Sequence, residues 1–147
     1  VRISPDNDNA TDQEEFQMTG KSLFSRAVVF ETQKWGRFEW RYGSKEERKQ
    51  WMADNLLILE TVLEDSNGVR VKVAQMVRHE ECRTPGTGKR SAGNGGLLQM
   101  DLGALKGSPE LEEVVVVATC LVMLKKEIDR LRMVQFMVIA GAASGGA

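Results

Sequence analysis

The sequence predicts a mostly β domain with one C-terminal helix, built as an antiparallel β-barrel or strongly curled sheet wrapped around that hydrophobic helix. Three observations carry this expectation. Val114 to Leu124 reads VVVVATCLVML, with Thr119 as its polar interruption, so a helix there has to be enclosed on every side. From Arg37 to Tyr42, Phe38, Trp40 and Tyr42 alternate with Arg37, Glu39 and Arg41, which is the period of a strand with one aromatic face turned inward. Further apolar runs separated by turn residues, before and after this strand, supply the rest of the enclosure.

Composition agrees with a single globular domain. The chain has 147 residues, 41% hydrophobic and 28% charged, and a chain of this length removes roughly two thirds of its unfolded surface from water. Neither a metal, a disulfide nor a cofactor is required for stability. Twenty basic residues against twenty-one acidic ones leave a formal charge of −1, so no global field draws the protein onto nucleic acid and any basic site has to be local. Cys82 and Cys120 read as two reduced thiols. The first residues lack the basic and apolar regions of a secretory signal, which points to a cytoplasmic location.

Residues 1–19 are polar and largely acidic and read as a flexible N-terminal tail. The domain is expected over residues 20–140. Leu23 to Phe30 is rich in β-branched and aromatic residues and predicts a strand; Gln33 to Gly36 predicts the turn into the aromatic strand. Ser44 to Trp51 is polar, with Ser44 placed to cap and Glu47 three positions on, the spacing of a capping box at the start of a short helix.

Asn55 opens LLILETVLED, and after Ser66-Asn67-Gly68 the chain restarts as VRVKVAQMVR. A three-residue loop predicts that Glu64 faces Arg70 and that Glu60 lies diagonal to Lys72. Leu57, Leu59 and Leu63 then share a face with Val69, Val71, Val73 and Val77, because a slip of one residue would send half the apolar groups into water. Ile58, Val62 and Met76 fall on the outer face, which is then covered or serves as a contact patch.

Leu98, Met100 and Leu102 predict one more strand. Ser108 and Pro109 predict the start of the C-terminal helix over 109–139, with Glu110, Glu112 and Glu113 against its positive end. The helix leaves the interior near Lys125, where Lys125 with Asp129 and Glu127 with Arg130 are spaced to pair. Residues 141–147 read as a flexible tail. No transmembrane segment is expected, since a span needs about 20 consecutive apolar residues and the charged run Lys125 to Arg132 cuts this one short.

The glycine-rich stretch Thr84 to Gly96 contains GTGKRS, but arginines at positions 83 and 90 break the Walker A spacing at both ends. Arg83, Lys89 and Arg90 among free amides would make a loose anion site, with a solvated basic loop as the simpler alternative. His79-Glu80-Glu81-Cys82 gathers a base, two carboxylates and a thiol. Strand neighbours point to opposite faces, so His79 and Cys82 are not expected to meet across a substrate. One histidine and two distant cysteines do not make a zinc set, and no metal is expected.

The segments GRFEWRY (Gly36 to Tyr42), NLLILE (Asn55 to Glu60) and VMLKKEIDR (Val122 to Arg130) resemble a group of fungal proteins within the tubby C-terminal-like superfamily, to which the plant LURP-one-related proteins and phospholipid scramblases belong. The resemblance covers about residues 20 to 132. It implies a β-barrel closed around a hydrophobic C-terminal helix, and binding of phosphoinositides or residence at membranes. The six to eight strands legible here fall short of a full twelve-stranded barrel.

The function expected is therefore a non-enzymatic binding module, cytoplasmic or peripheral to membranes, that takes anionic lipid headgroups or a partner protein through Arg83, Lys89 and Arg90. Two alternatives remain: a scaffold that self-associates through Ile58, Val62 and Met76, and a small enzyme centred on His79.

Overall fold

A computed structural model describes residues 2–3, 14–21, 25–62, 69–82, 85–86, 95–101, 103 and 113–144. Two short strands, β1 (Arg2–Ile3) and β2 (Glu14–Glu15), pair with each other. The main sheet follows sequence order as an antiparallel meander: β3 (Thr19–Gly20), β4 (Val28–Thr32), β5 (Gly36–Tyr42), β6 (Asn55–Val62), β7 (Arg70–Arg78) and β8 (Leu97–Met100). Helix α1 (Lys45–Gln50) lies between β5 and β6, and α2 (Glu113–Ser144) closes the chain's fold. Among the described residues the sheet is open, with β3 and β8 at its two edges.

The aromatic strand behaves as its period requires. Phe38 and Trp40 are fully buried on the inner face beside Val28 and Phe30 of β4, with the Phe30 and Phe38 rings stacked at 5.2 Å and Phe16 stacked on Phe30 beyond them. Gly36 takes φ +78° to close the β4–β5 turn, a conformation that a side chain would strain. Ser44 and Glu47 form the capping box that their spacing predicts: the Ser44 hydroxyl accepts from the Glu47 N–H, and the Glu47 carboxylate accepts from the Ser44 N–H.

The β6–β7 hairpin departs from expectation twice. Val62 faces Arg70 and Glu60 faces Lys72 directly, two residues away from the expected register; an even shift leaves the faces intact near the turn. A bulge at Leu59/Glu60 then adds one residue to β7, pairing Leu59 with Ala74 and Leu57 with Met76. One extra residue inverts the alternation beyond it. Met76 therefore joins the inner cluster instead of the outer face, and Val77 joins Leu56 and Ile58 outside. That outer trio is covered by Trp51 and Ala53 after α1, which leaves Ile58 2% and Met76 7% exposed. These two residues offer no self-association surface. The side chain of Val62, residues 63–68 and Leu102 lie outside the described residues.

Helix α2 packs one face on the sheet. Val115, Val116, Thr119, Cys120 and Met123, spaced as one helical stripe, are buried with Trp40, Leu57, Leu59, Val73 and Met76. The valine and methionine side chains among them each contribute about 1.5–3 kcal/mol by leaving water. Val114 and Leu121 stay about half exposed or more, at 49% and 60%. The expected enclosure on every side is thus replaced by one-sided packing, because a single open sheet offers one face. The capping residues Ser108 and Pro109 lie outside the described residues. At its other end the helix continues through Gly141 to Ser144, past the expected 139 and into the segment read as a tail.

Candidate functional site

Arg83, Lys89 and Arg90, the basic residues that the sequence singles out, lie outside the described residues. His79 and Cys82 are described, and they do meet: β7 ends at Arg78, a short 3-10 turn spans Glu80–Cys82, and the Cys82 N–H reaches the His79 carbonyl at 3.2 Å. This turn, replacing continued strand, brings Cys82 Sγ to 3.7 Å from His79 Nε2. Among the described residues no group of three or more metal-ligating side chains gathers there or elsewhere.

The outer face of the sheet carries a ladder of alternating charges. Lys21 pairs with Glu39 at 2.9 Å; Arg70 reaches both Glu39 at 3.3 Å and Glu60 at 3.2 Å; Arg41 bonds Glu60 at 2.6 Å and Glu47 at 2.9 Å. The Arg41 hydrogen bond holds the Glu47 carboxyl down at about 2. Burial works to raise the Glu60 value, but the bonds from Arg41 and Arg70 outweigh it and the net direction is down. Three acids and three bases cancel, so this ladder braces β5, β6, β7 and α1 to one another and leaves little field for a ligand.

Further cations converge beside this ladder, whose Glu39 and Arg41 line the same depression. Two adjoining clefts, of about 560 and 470 Å³, share Ser25, Arg26, Ala27, Tyr42 and Glu127. Arg26 enters from the segment before β4, Tyr42 from the last position of β5, Arg48 from α1, and Lys126 and Arg130 from one face of α2, where i and i+4 are neighbours. The Arg26 guanidinium stands 5.7 Å from the centre of the Tyr42 ring, Arg48 Nε donates to the Ser44 carbonyl at 3.4 Å, and Lys126 Nζ donates to the Met18 carbonyl at 3.0 Å. Among the described residues no ion pair occupies Arg26, Arg48, Lys126 or Arg130.

Three carboxylates line the clefts as well: Glu39, which Lys21 and Arg70 answer, Asp54, and Glu127. Glu127 bonds Arg78 at 2.7 Å and Asn55 at 3.0 Å, which ties α2 to β6 and β7. The expected Glu127–Arg130 pair is therefore replaced by one to the sheet, which leaves Arg130 to the cleft, while Lys125 and Asp129 pair as predicted at 2.6 Å. Burial, helped by the Glu127 charge and opposed by Arg130, Arg26 and Arg78, pushes the Tyr42 phenol up. The phenol stays protonated and can donate. Guanidinium forks, an ammonium and a phenol around one depression make a site for an anion with several acceptor oxygens.

No protein-family model, curated protein or solved structure matches this chain. The cleft was not legible as a motif, since its five cations, Arg26, Arg41, Arg48, Lys126 and Arg130, are spread over about a hundred residues; the one local signal is Lys126 with Arg130 on a helix face.

Proposed function

We propose that the chain is a non-enzymatic binding module of the tubby-like kind, cytoplasmic and peripheral to membranes, whose ligand is an anionic phospholipid headgroup. The observation that carries this reading is the convergence of Arg26, Arg48, Lys126 and Arg130 on clefts that also hold Asp54, and where the carboxylates Glu39 and Glu127 are already bonded, to Lys21 and Arg70 and to Arg78. The likeness to tubby-like proteins rests on the aromatic strand packed against a C-terminal helix, and a fuller barrel would need strands beyond the six seen here.

The alternatives draw less support. Self-association through Ile58, Val62 and Met76 lacks a surface at two of its three residues. An enzyme at His79 would have Cys82 beside it, but neither of the two clefts is lined by either residue.

Co-sedimentation with vesicles tests the proposal. Phosphatidylcholine vesicles containing phosphatidylserine should retain the protein at low salt more strongly than phosphatidylcholine alone, and the difference should shrink as salt rises. The double variant Arg26→Ser, Arg130→Ser should lose most of that preference. Equal binding of the native chain to both vesicle types would reject the reading.

A further inference from the structure

The last turns of α2 have no sheet to lie on. At about 1.5 Å per residue, its 32 residues run about 48 Å, whereas the longest strand, β7 with 9 residues, spans about 30 Å. Beyond Arg132 the side chains of Met133, Val134, Phe136, Met137, Val138 and Ile139 are between 48% and 69% exposed. From Met133 to Ala147 the sequence carries no charged residue, while Lys125, Lys126, Arg130 and Arg132 lie in the turns just before.

How the exposed groups are arranged distinguishes among possible occupants. Successive residues turn about 100° around the axis, so these six positions are spread around the circumference instead of forming one stripe, with Gln135 the one polar position among them. A partner helix or a protein groove reads a stripe at i, i+3, i+4 and i+7, and a helix lying flat at a membrane interface keeps a polar face. Apolar groups on every side suit an apolar solvent on every side. The basic turns before them match the headgroup layer of an anionic monolayer, where lysine and arginine sit while the apolar groups go deeper. Length sets the depth: residues 133–144 extend roughly 18 Å, against a hydrocarbon core of about 30 Å. No described helix is long and apolar enough to cross a membrane.

We infer that the C-terminal turns of α2, from Met133 onward, insert into one leaflet of a lipid surface, with Lys126 and Arg130 at headgroup level. The inference rests on the membrane reading of the cleft and adds a second, salt-resistant means of attachment. Because Lys126 and Arg130 both line the cleft and precede the apolar turns on the same helix, headgroup capture and insertion would occur at one contact.

Quenching by lipid tests insertion directly. The variant Phe136→Trp, mixed with vesicles of phosphatidylcholine and phosphatidylserine brominated in the acyl chains, should lose emission that the native chain keeps, since Trp35 and Trp40 are buried in the domain and Trp51 packs half-buried on the outer face of the sheet. The pair Phe136→Asp, Val138→Asp should lower partitioning about tenfold or more and leave the fold intact, both positions being exposed. Its preference for anionic over neutral vesicles should remain. If the introduced indole is not quenched, or if the aspartates leave partitioning unchanged, insertion is refuted while the cleft reading survives. If the protein instead sediments as a dimer that the aspartates dissociate, with no vesicle binding, a second copy covers the apolar turns and the inference is overturned. Quenching that persists in Arg26→Ser, Arg130→Ser with no anionic preference would reject the cleft and keep insertion.

Discussion

The Trp40 indole Nε1 donates a hydrogen bond of 3.0 Å to the hydroxyl of Thr119, joining β5 to the second turn of α2 across 79 residues of sequence. Both side chains are fully buried. The Thr119 hydroxyl in turn donates to the Val115 carbonyl at 2.8 Å, with the Val116 carbonyl at 3.1 Å, so every polar group of the pair is satisfied. A lone threonine in VVVVATCLVML is thereby explained: it answers an indole that the aromatic strand buries, and it selects which face of the helix turns to the sheet.

Thr119→Val keeps the shape and strands the indole N–H. An unsatisfied buried donor costs about 1–3 kcal/mol, so denaturant unfolding should show a loss of that size. Thr119→Ser keeps the hydroxyl and should recover a large part of it. Equal losses in the two variants would mean that the methyl group, not the hydrogen bond, matters here.

The two thiols should differ in reactivity. Cys120 is buried against Met76, with the sulfurs 3.5 Å apart, and burial pushes its thiol up to about 11, so the thiolate is scarce at neutral pH. Cys82 is only partly buried. Under native conditions a maleimide should modify Cys82 alone, and Cys120 only after unfolding. Rapid double labelling of the folded protein would contradict the packing of α2 on β7.

Ile58 and Met76 should both behave as core residues although they lie on opposite faces of the sheet. Met76→Ala opens a cavity beneath α2 and Ile58→Ala one beneath Trp51; each should cost about 2–5 kcal/mol. Neither should alter the mass measured by light scattering. A substitution that left stability alone and changed the oligomeric state would restore the contact-patch reading of these residues.

Met76 also shows where sequence reasoning stops. Strands, the aromatic inner face and the α1 capping box were legible because each is local: a period of two, or a hydroxyl three residues from a carboxylate. The bulge was not, since it arises from how β6 and β7 fit together, although Val73 followed by Ala74-Gln75-Met76 already breaks the alternation in the sequence. The run of four valines masked the helical stripe, because uniform greasiness hides which face is buried. The cleft is the extreme case, assembled from β4, β5, α1 and α2, with no two of its cations in one local motif except Lys126 and Arg130.

Acid should weaken the outer ladder before it reaches the core. Glu47 holds a folded-state value of about 2, chiefly through its bond from Arg41, and Glu60 is also lowered, while an unfolded glutamate titrates near about 4.3. Depressed carboxylates add stability that is fully present above the unfolded value and is lost as pH falls toward the folded one. Stability measured by denaturant melts should therefore be flat at neutral pH and decline from about pH 5 toward about pH 2. Glu47 is about a third exposed, and solvent screening limits its share to about 1 kcal/mol or less. Glu47→Gln should flatten that decline down to about pH 2 and lower neutral-pH stability by a similar amount, since it also weakens the capping box at Ser44. Arg41→Met should do more, because it leaves the buried Glu60 with Arg70 as its remaining described partner. A decline identical in the native protein and both variants would mean that other carboxylates, not this ladder, set the acid limit of the fold.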